Sequence, residues 1–567
     1  MDWTTELNVP LAVLAGTVAV THFWLRNFEP PAHSFAPFIV LALVPIFPAI
    51  SLILYTPYSP LWAILTAYPA FYTCLGVSVT AYRLSPFHPL AQHPGPIIAR
   101  VSKLWVVWKS LDGKLPKYYQ KLHAQYGPVV RIGPNELSIV DKELLPDVIG
   151  THGMPRGPTW DGRRMSPKEA YQKEYDLILT RSSARHAQLR KAWNKAFAAE
   201  PLADYREVLF KRIALLQSRL EDICREAGRN RGATVDIAEW INFFSFDLMS
   251  DLAFGGGSEM LREGDKHHFL EKIEKSAYLP SVTGLIPWST QASVRLIPNV
   301  GTHLRDFAAF AMERAMLRSS QTLTQKDLFY HIVSNTYKDE DASPFPLIVS
   351  NAALAILAGS DTTSSVLCNV IYYLVANPEC LKKLQQELDQ NAPALHGGTI
   401  AGDILEQLVG LPWLNAVINE TLRLQPILPT GLQRAPEKGS GGKMVGSHFV
   451  KEGTAVTVPL YVILRDPRYF NPDPEKFWPE RWLQYCKNPE VTLDMGAFIP
   501  FSMGPANCVG KQLAMAELRY VIALLAARFE MKFMEGWDVS TWEENLKDRF
   551  VLAKGKLMLE IGLRKRV

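Results

Sequence analysis

The first 82 residues constrain this chain more than any other stretch. They carry only four charged side chains, Asp2, Glu6, Arg26 and Glu29. Within them, residues 36–55 and 61–82 form two uncharged apolar blocks. A helix needs about 20 apolar residues to cross a bilayer core, so each block is long enough to span one. Residues 9–25 form a third, weaker block, interrupted by Thr17, Thr21 and His22. Pro45, Pro48 and Pro69 interrupt the blocks, which spanning helices tolerate. The competing reading is a signal peptide followed by buried core helices. Asp2 and Glu6 oppose it, because a signal peptide begins with a basic segment.

Flanking charge sets the orientation. Arg26 follows the first block, and Arg83, Arg100 and Lys103 follow the last. By the positive-inside rule, three spans put the N-terminus in the lumen and the body in the cytosol. Two spans put both ends in the cytosol. Six cysteines without a CxxC spacing fit a reducing compartment. A net charge of +4 in 567 residues argues against a nucleic-acid partner.

The body has ordinary charge density, and His93-Pro94-Gly95-Pro96 is a rigid junction before it. The expected organisation is an anchor of two or three transmembrane helices over residues 1–87 and one domain over 88–567. Helical periodicity dominates at 103–126, 182–197, 202–227, 346–376, 378–390, 411–424 and 511–529. Strand-like pieces are few, at 129–132, 137–140, 449–450 and 455–458. The fold class is therefore mainly α with small β-sheets. The sequence has no P-loop, dinucleotide fingerprint or HExxH helix. Gly255-Gly256-Gly257 reads as a helix-terminating loop.

Near the C-terminus stands Phe501-Ser502-Met503-Gly504-Pro505-Ala506-Asn507-Cys508-Val509-Gly510. A lone cysteine is usually a small packed hydrophobe, and Cys74, Cys224, Cys368, Cys380 and Cys486 are read that way. Cys508 differs. Gly504 and Gly510 let the backbone curve around its sulfur, and a helical pattern begins at Lys511. A thiolate at a helix N-terminus is stabilised by the dipole and by free N–H groups. Such a loop could hold an anionic sulfur against a metal.

The loop resembles that of the cytochrome P450 haem-thiolate monooxygenases, matching at Phe501, Gly504, Cys508 and Gly510. It departs at Ala506, where the family usually places a propionate-binding arginine. The resemblance implies that Cys508 is the proximal ligand of a haem b iron, shielded by Phe501, in a cytochrome P450 fold behind N-terminal transmembrane helices.

Three further motifs follow the family's order. Ala358-Gly359-Ser360-Asp361-Thr362-Thr363 lies inside a long apolar helical pattern. A mid-helix glycine costs about 1 kcal/mol, which suggests either a small-residue packing face or a local opening of the helix. The resemblance implies that Thr362 handles dioxygen and that Asp361 feeds a proton relay. Glu420-Thr421-Leu422-Arg423 is a surface pair or, by resemblance, a buried structural network completed by Arg481. The sequon at Asn419 is read as chance, since a glycan there would destroy the helix packing. His186, Arg190 and Arg434 match positions that bind the haem propionates. A surface role for either arginine is the alternative, and His186 carries the weaker match.

The resemblance covers residues 90–567 and implies O2 as co-substrate and NADPH-derived electrons. Little chain follows Gly510, so the expected donor is a separate NADPH–cytochrome P450 reductase, with cytochrome b5 as a second partner. Lys511 could contribute to a basic face for such a donor. The expected location is the endoplasmic reticulum membrane, with the body in the cytosol. The expected reaction inserts one oxygen atom into a lipophilic small molecule, by hydroxylation or a related oxidation. The multi-span head and the loop wording resemble fungal members active in secondary metabolism, such as terpenoid biosynthesis. The alternatives are an O2-independent haem-thiolate isomerase or dehydratase, and a non-catalytic membrane haem sensor. The Asp361-Thr362 pair argues against both.

Overall fold

The computed structural model describes residues 3–28, 30–32, 34–164, 176–228, 232–266, 268–298, 302–320, 326–336, 345–396, 404–485 and 487–565. Asp2, Glu29 and Cys486 lie outside the described residues.

Four helices build the head: α1 (Trp3–Asn27), α2 (Ala36–Leu43), α3 (Ile46–Tyr55) and α4 (Pro60–Leu84). The segments Leu7–Asn27, Ala36–Tyr55 and Pro60–Leu84 are each long and apolar enough to cross a membrane. The polar residues of the first block find partners within the head. Thr17 and Thr21 donate to the carbonyls of Val13 and Thr17 at 2.6 and 2.8 Å. His22 Nδ1 meets Ser78 Oγ on α4 at 2.7 Å. The break between α2 and α3 falls at Pro45, which has no N–H for the Leu41 carbonyl. Helix α4 repairs it: the Tyr72 hydroxyl donates to Leu41 O and the Tyr68 hydroxyl to Ala42 O, each at 2.9 Å. Paired backbone is what a bilayer core demands.

The body is mostly helical. Helices α5 (Leu104–Ser110) and α6 (Leu115–Tyr126) replace the single helix expected there. Gly113, at φ +76°, turns the chain between them, and a Cβ there would strike Lys547 at 2.6 Å. Next come α7 (Ser183–Ala196), α8 (Ala199–Glu226), α9 (Ile237–Phe254), α10 (Phe269–Thr283), α11 (Phe345–Ala376), α12 (Pro412–Leu424) and α13 (Lys511–Arg528). Helix α9 has no counterpart among the periodic stretches, because it is buried on nearly every side and so lacks a polar face to betray a period. It ends at Gly255, in the left-handed conformation that caps helices. Helix α11 is apolar enough for a membrane span, yet 67% of its most apolar window is buried inside the fold. It is the central core helix.

The main sheet holds β1 (Val129–Gly133), β2 (Glu136–Ile139), β4 (Leu432–Arg434) and β5 (Ala455–Val458), in the order β1-β2-β5-β4. A second sheet joins β3 (Ala233–Asp236), β6 (Phe529–Phe533) and β9 (Met558–Leu563), in the order β6-β9-β3. Strands β7 (Lys547–Arg549) and β8 (Val551–Ala553) form a C-terminal hairpin. The expected strand at 449–450 lies in the hairpin strand His448–Lys451.

A buried carboxylate locks α12 to the chain ahead of the cysteine loop. Glu420, Arg423 and Arg481 are each 0% exposed. Glu420 accepts from Arg423 Nε and Nη2 and from Arg481 Nε at 2.9 Å, and from Trp478 N and Trp482 Nε1 at 3.0 Å. Five further guanidinium protons reach carbonyls: those of Leu464, Pro474 and Lys476 from Arg423, and of Pro472 and Asp473 from Arg481. Burial alone would push the Glu420 carboxyl up. The hydrogen bond and charge of Arg423, the charge of Arg481 and the Trp478 N–H outweigh it and hold the group below the ordinary carboxylate range.

Glu420→Gln leaves two buried guanidiniums without a counter-charge and is expected to cost about 3–5 kcal/mol, read from chemical denaturation. A carboxylate with a lowered folded pKa stabilises the protein above its unfolded pKa. That contribution is lost as pH falls through the lower folded value. The acid limb of wild-type stability is therefore steeper than that of Glu420→Gln.

Candidate active site

The loop 501–510 is held in a tight curve. Cys508 N donates to Phe501 O at 2.9 Å. Gly504 has φ +71°, and a Cβ on it would sit 2.4 Å from the carbonyl oxygen of Ile149. Only glycine satisfies both conditions. Gly510 differs from the expectation: at φ −82°, its Cβ would meet only Phe197, at an ordinary 3.7 Å. Phe501 packs against the main core, and Lys511 Nζ lies 5.7 Å from its ring centroid. Cys508 is accessible, yet surrounded by enough protein that burial pushes its thiol up. The Gly510 and Lys511 N–H groups and the Arg190 and Lys511 charges oppose that shift. Those opposing groups are what a sulfur needs to act as an anionic ligand.

Helix α11 is continuous across Gly359, with no local opening. The glycine is explained by packing instead: a Cβ there would lie 2.6 Å from Met249 Sδ and Cε on α9. One strip of α11 remains accessible in the middle of this core helix, with Ala358 exposed and Asp361 and Thr362 half-buried. Positions 358, 361 and 362 share a face. Thr362 Oγ1 donates to Ala358 O at 2.6 Å, which leaves its lone pairs free to accept. Burial pushes the Asp361 carboxyl up, against the opposing charge of Lys554.

A third group gathers more cations than acids, with Asp176 acting on one of them, Arg156. Buried Arg434 lies on β4, and the only hydrogen bond of its guanidinium among the described residues is to the neighbouring Gln433 O. Burial lowers its pKa to about 10. A bridge between strands sets Arg156 beside Arg434. Arg156 Nε has no partner among the described residues, and burial together with Arg434 brings its pKa to about 9. His186 Nε2 is likewise buried without a partner there. Burial and the charges of Arg156, Arg190 and Arg434 lower its pKa to about 3, so it stays neutral. Arg190 lies one turn along α7 and braces the cysteine loop, donating to Asn507 O at 2.6 Å and Asn507 Oδ1 at 2.8 Å. Desolvated cations are costly unless an anion sits among them; Asp176 offsets only part of that cost, and only at Arg156, so an acidic ligand would suit this corner.

Sequence reasoning missed Arg156 and Lys554. Arg156, in Pro155-Arg156-Gly157-Pro158, has only loop punctuation around it. Its nearness to Arg434 is made by the strand bridge, not by spacing.

A family model described as Cytochrome P450 matches residues 94–561. Among curated relatives, Cytochrome P450 monooxygenase FCK2 of Fusarium pseudograminearum is 34% identical over 88% of this chain and 87% of its own length. Cytochrome P450 monooxygenase notG' of Aspergillus versicolor is 34% identical over 86% and 84%. Tryprostatin B 6-hydroxylase of Aspergillus fumigatus is 30% identical over 84% and 81%.

The glycine geometry gives a direct comparison. Gly504→Ala is expected to lose about 2 kcal/mol or more, because a clash with backbone adds to an unfavourable φ. Gly510→Ala is expected to lose distinctly less. Thermal unfolding of the two variants side by side checks the order.

Proposed function

This chain belongs to the cytochrome P450 monooxygenase family, and from that premise we propose that it hydroxylates, or similarly oxidises, a lipophilic secondary metabolite at a haem b ligated by Cys508. Members of the family use haem, O2 and reducing equivalents from redox partners.

The residues present fit a haem. A soft sulfur donor is accessible in a rigid loop at a helix N-terminus. The strip of α11 offers a second accessible face, which could line the haem. Arg156 and Arg434, with the unpartnered His186 Nε2, suit two propionates, and Arg190 holds the loop where Ala506 replaces the family's usual arginine. The single observation that carries the reading is this conjunction: an accessible thiol flanked by N–H groups and Arg190, in the same cation cluster as Arg156 and Arg434, whose pKa values burial lowers even against the charge of Asp176.

When bound, the haem supplies the oxygen activation and substrate oxidation. The protein supplies position and charge. The N–H groups of Gly510 and Lys511 and the Arg190 guanidinium favour the thiolate form of Cys508. Phe501 covers the sulfur on the loop side. Thr362 Oγ1, anchored on Ala358 O, accepts a hydrogen bond from the accessible side and can pass its own proton by rotating off that carbonyl. Asp361, one residue away, supplies the proton that replaces the one Thr362 hands on and regains one from solvent at its accessible side.

The electron donor is proposed to be NADPH–cytochrome P450 reductase, with cytochrome b5 as a second donor. Lys511, Lys191 and Lys195 are exposed on and beside the cysteine loop and suit an acidic partner. The head is proposed as an endoplasmic reticulum anchor over residues 1–87, with the catalytic body over 88–567 in the cytosol. A substrate arriving through the bilayer fits the surface near it: Phe38 lies 5.7 Å from Trp288, and Leu296 and Ile297 are exposed. Relatives named as monooxygenases, together with an acid and an alcohol on the accessible strip, favour this reading over an isomerase or a sensor. No residue of the site speaks for a terpenoid in particular.

The reduced, carbon-monoxide-bound absorption spectrum tests the ligand. A Soret band of thiolate type, lost in Cys508→Ala, is expected; a histidine-type band in wild type would refute the assignment. Thr362→Ala is expected to divert at least several-fold more NADPH to peroxide and water, and unchanged coupling would remove the relay.

A further inference from the structure

Asp361 has a charged neighbour that the mechanism above does not use. Lys554 follows β8 at the C-terminal end of the chain and is buried against α11, with its side chain 7% exposed. Its Nζ donates to Ser364 Oγ at 3.0 Å and to Ser365 Oγ at 3.1 Å. Both hydroxyls are themselves committed: Ser364 donates to Asp361 O and Ser365 to Leu552 O, each at 3.2 Å. A lysine ammonium has three protons and no acceptor. Two are held by the serines, and Asp361 Oδ1, 4.0 Å from Nζ, is the acid within reach of the third.

We propose that Lys554 is a positioning residue for the Asp361 carboxylate. The two serines fix its ammonium on α11, and the fixed charge sets the pH at which Asp361 exchanges its proton. An opposite charge within about 4–6 Å favours the ionised form of a carboxyl. Lys554 opposes the burial that pushes Asp361 up. Other charged and titratable groups face the same place. Glu274 on α10 is pushed up by burial, pulled down by Lys554, pushed up by Asp361 and pulled down by Lys547 of β7. Glu274 therefore competes for the same ammonium from the helix packed across the hairpin. Cys368, further along α11, is pushed up to about 12 by burial and stays a neutral thiol.

The inference rests on the proposed place of Asp361 in the relay but is tested apart from it. The full-length haem-loaded protein in lipid nanodiscs is titrated by infrared spectroscopy, and subtraction of Asp361→Asn isolates the Asp361 carboxyl band. Lys554→Met is expected to raise the midpoint by about one pH unit or more, a tenfold change in the acid form. Lys554→Arg keeps the charge and is expected to restore most of the wild-type midpoint. The Ser364→Ala/Ser365→Ala double variant keeps the lysine but frees it, and is expected to move the midpoint part of the way in the same direction. If Lys554→Met fails to bind haem, the serine variant decides alone. A midpoint unmoved in the variants that fold, or an arginine that fails to rescue, overturns the inference. Asp361→Asn with undiminished coupling of NADPH to product would remove the relay and leave the lysine's hold on the carboxyl intact, so the two failures are distinguishable.

Discussion

The body depends on one buried carboxylate. Glu420 brings Arg423 and Arg481 together at zero exposure, and its five hydrogen bonds reach both guanidiniums, a backbone N–H and an indole. Ion pairs at this depth stabilise only when additional hydrogen bonds satisfy the groups around them, and here five further guanidinium protons end on backbone carbonyls. The network thereby orders a stretch of irregular chain, 464–482, that has little regular structure of its own. That stretch precedes the cysteine loop in the chain.

The neighbouring cation cluster follows the opposite logic. Glu420 has more donors than charge, whereas Arg156 and Arg434 have more charge than the one acid acting on Arg156, Asp176, can balance. Asp176 offsets only part of the cost of burying Arg156, Arg434 has no such help, and an acidic ligand would relieve both. Ala506 belongs to the same account. With no arginine in the loop, Arg190 reaches across from α7 to hold Asn507, and the charge near the sulfur comes from a helix instead of from the loop.

Helix α11 reconciles a core helix with a reactive face. Gly359 lets α9 press close through Met249, while the strip around Ala358, Asp361 and Thr362 stays accessible. Its polar side chains are tied to the helix or to the C-terminal hairpin, by Thr362 to Ala358 O and by Ser365 to Leu552 O. The helix thus keeps its hydrogen bonds unbroken where the sequence had suggested an opening.

The sequence by itself determined what local chemistry dictates. The apolar blocks of the head, the helical class of the body, and the cysteine between two glycines are legible because charge absence, period and spacing are properties of adjacent residues. Glu420 and Arg423 are legible for the same reason, being one helical turn apart. What only the tertiary structure decided is what depends on distant segments. Arg156 meets Arg434 through a strand bridge, Lys554 reaches α11 from the chain's end, and tyrosines of α4 repair the proline break between α2 and α3. Helix α9 escaped notice because burial on all sides erases the amphipathic period. Gly504 and Gly510 look alike in the sequence, but only the fold shows that the backbone of residues 149–150 crowds one and not the other. Spacing carries information over a turn or two of chain. Beyond that, packing decides which charges meet, and their pairing or lack of it sets the chemistry.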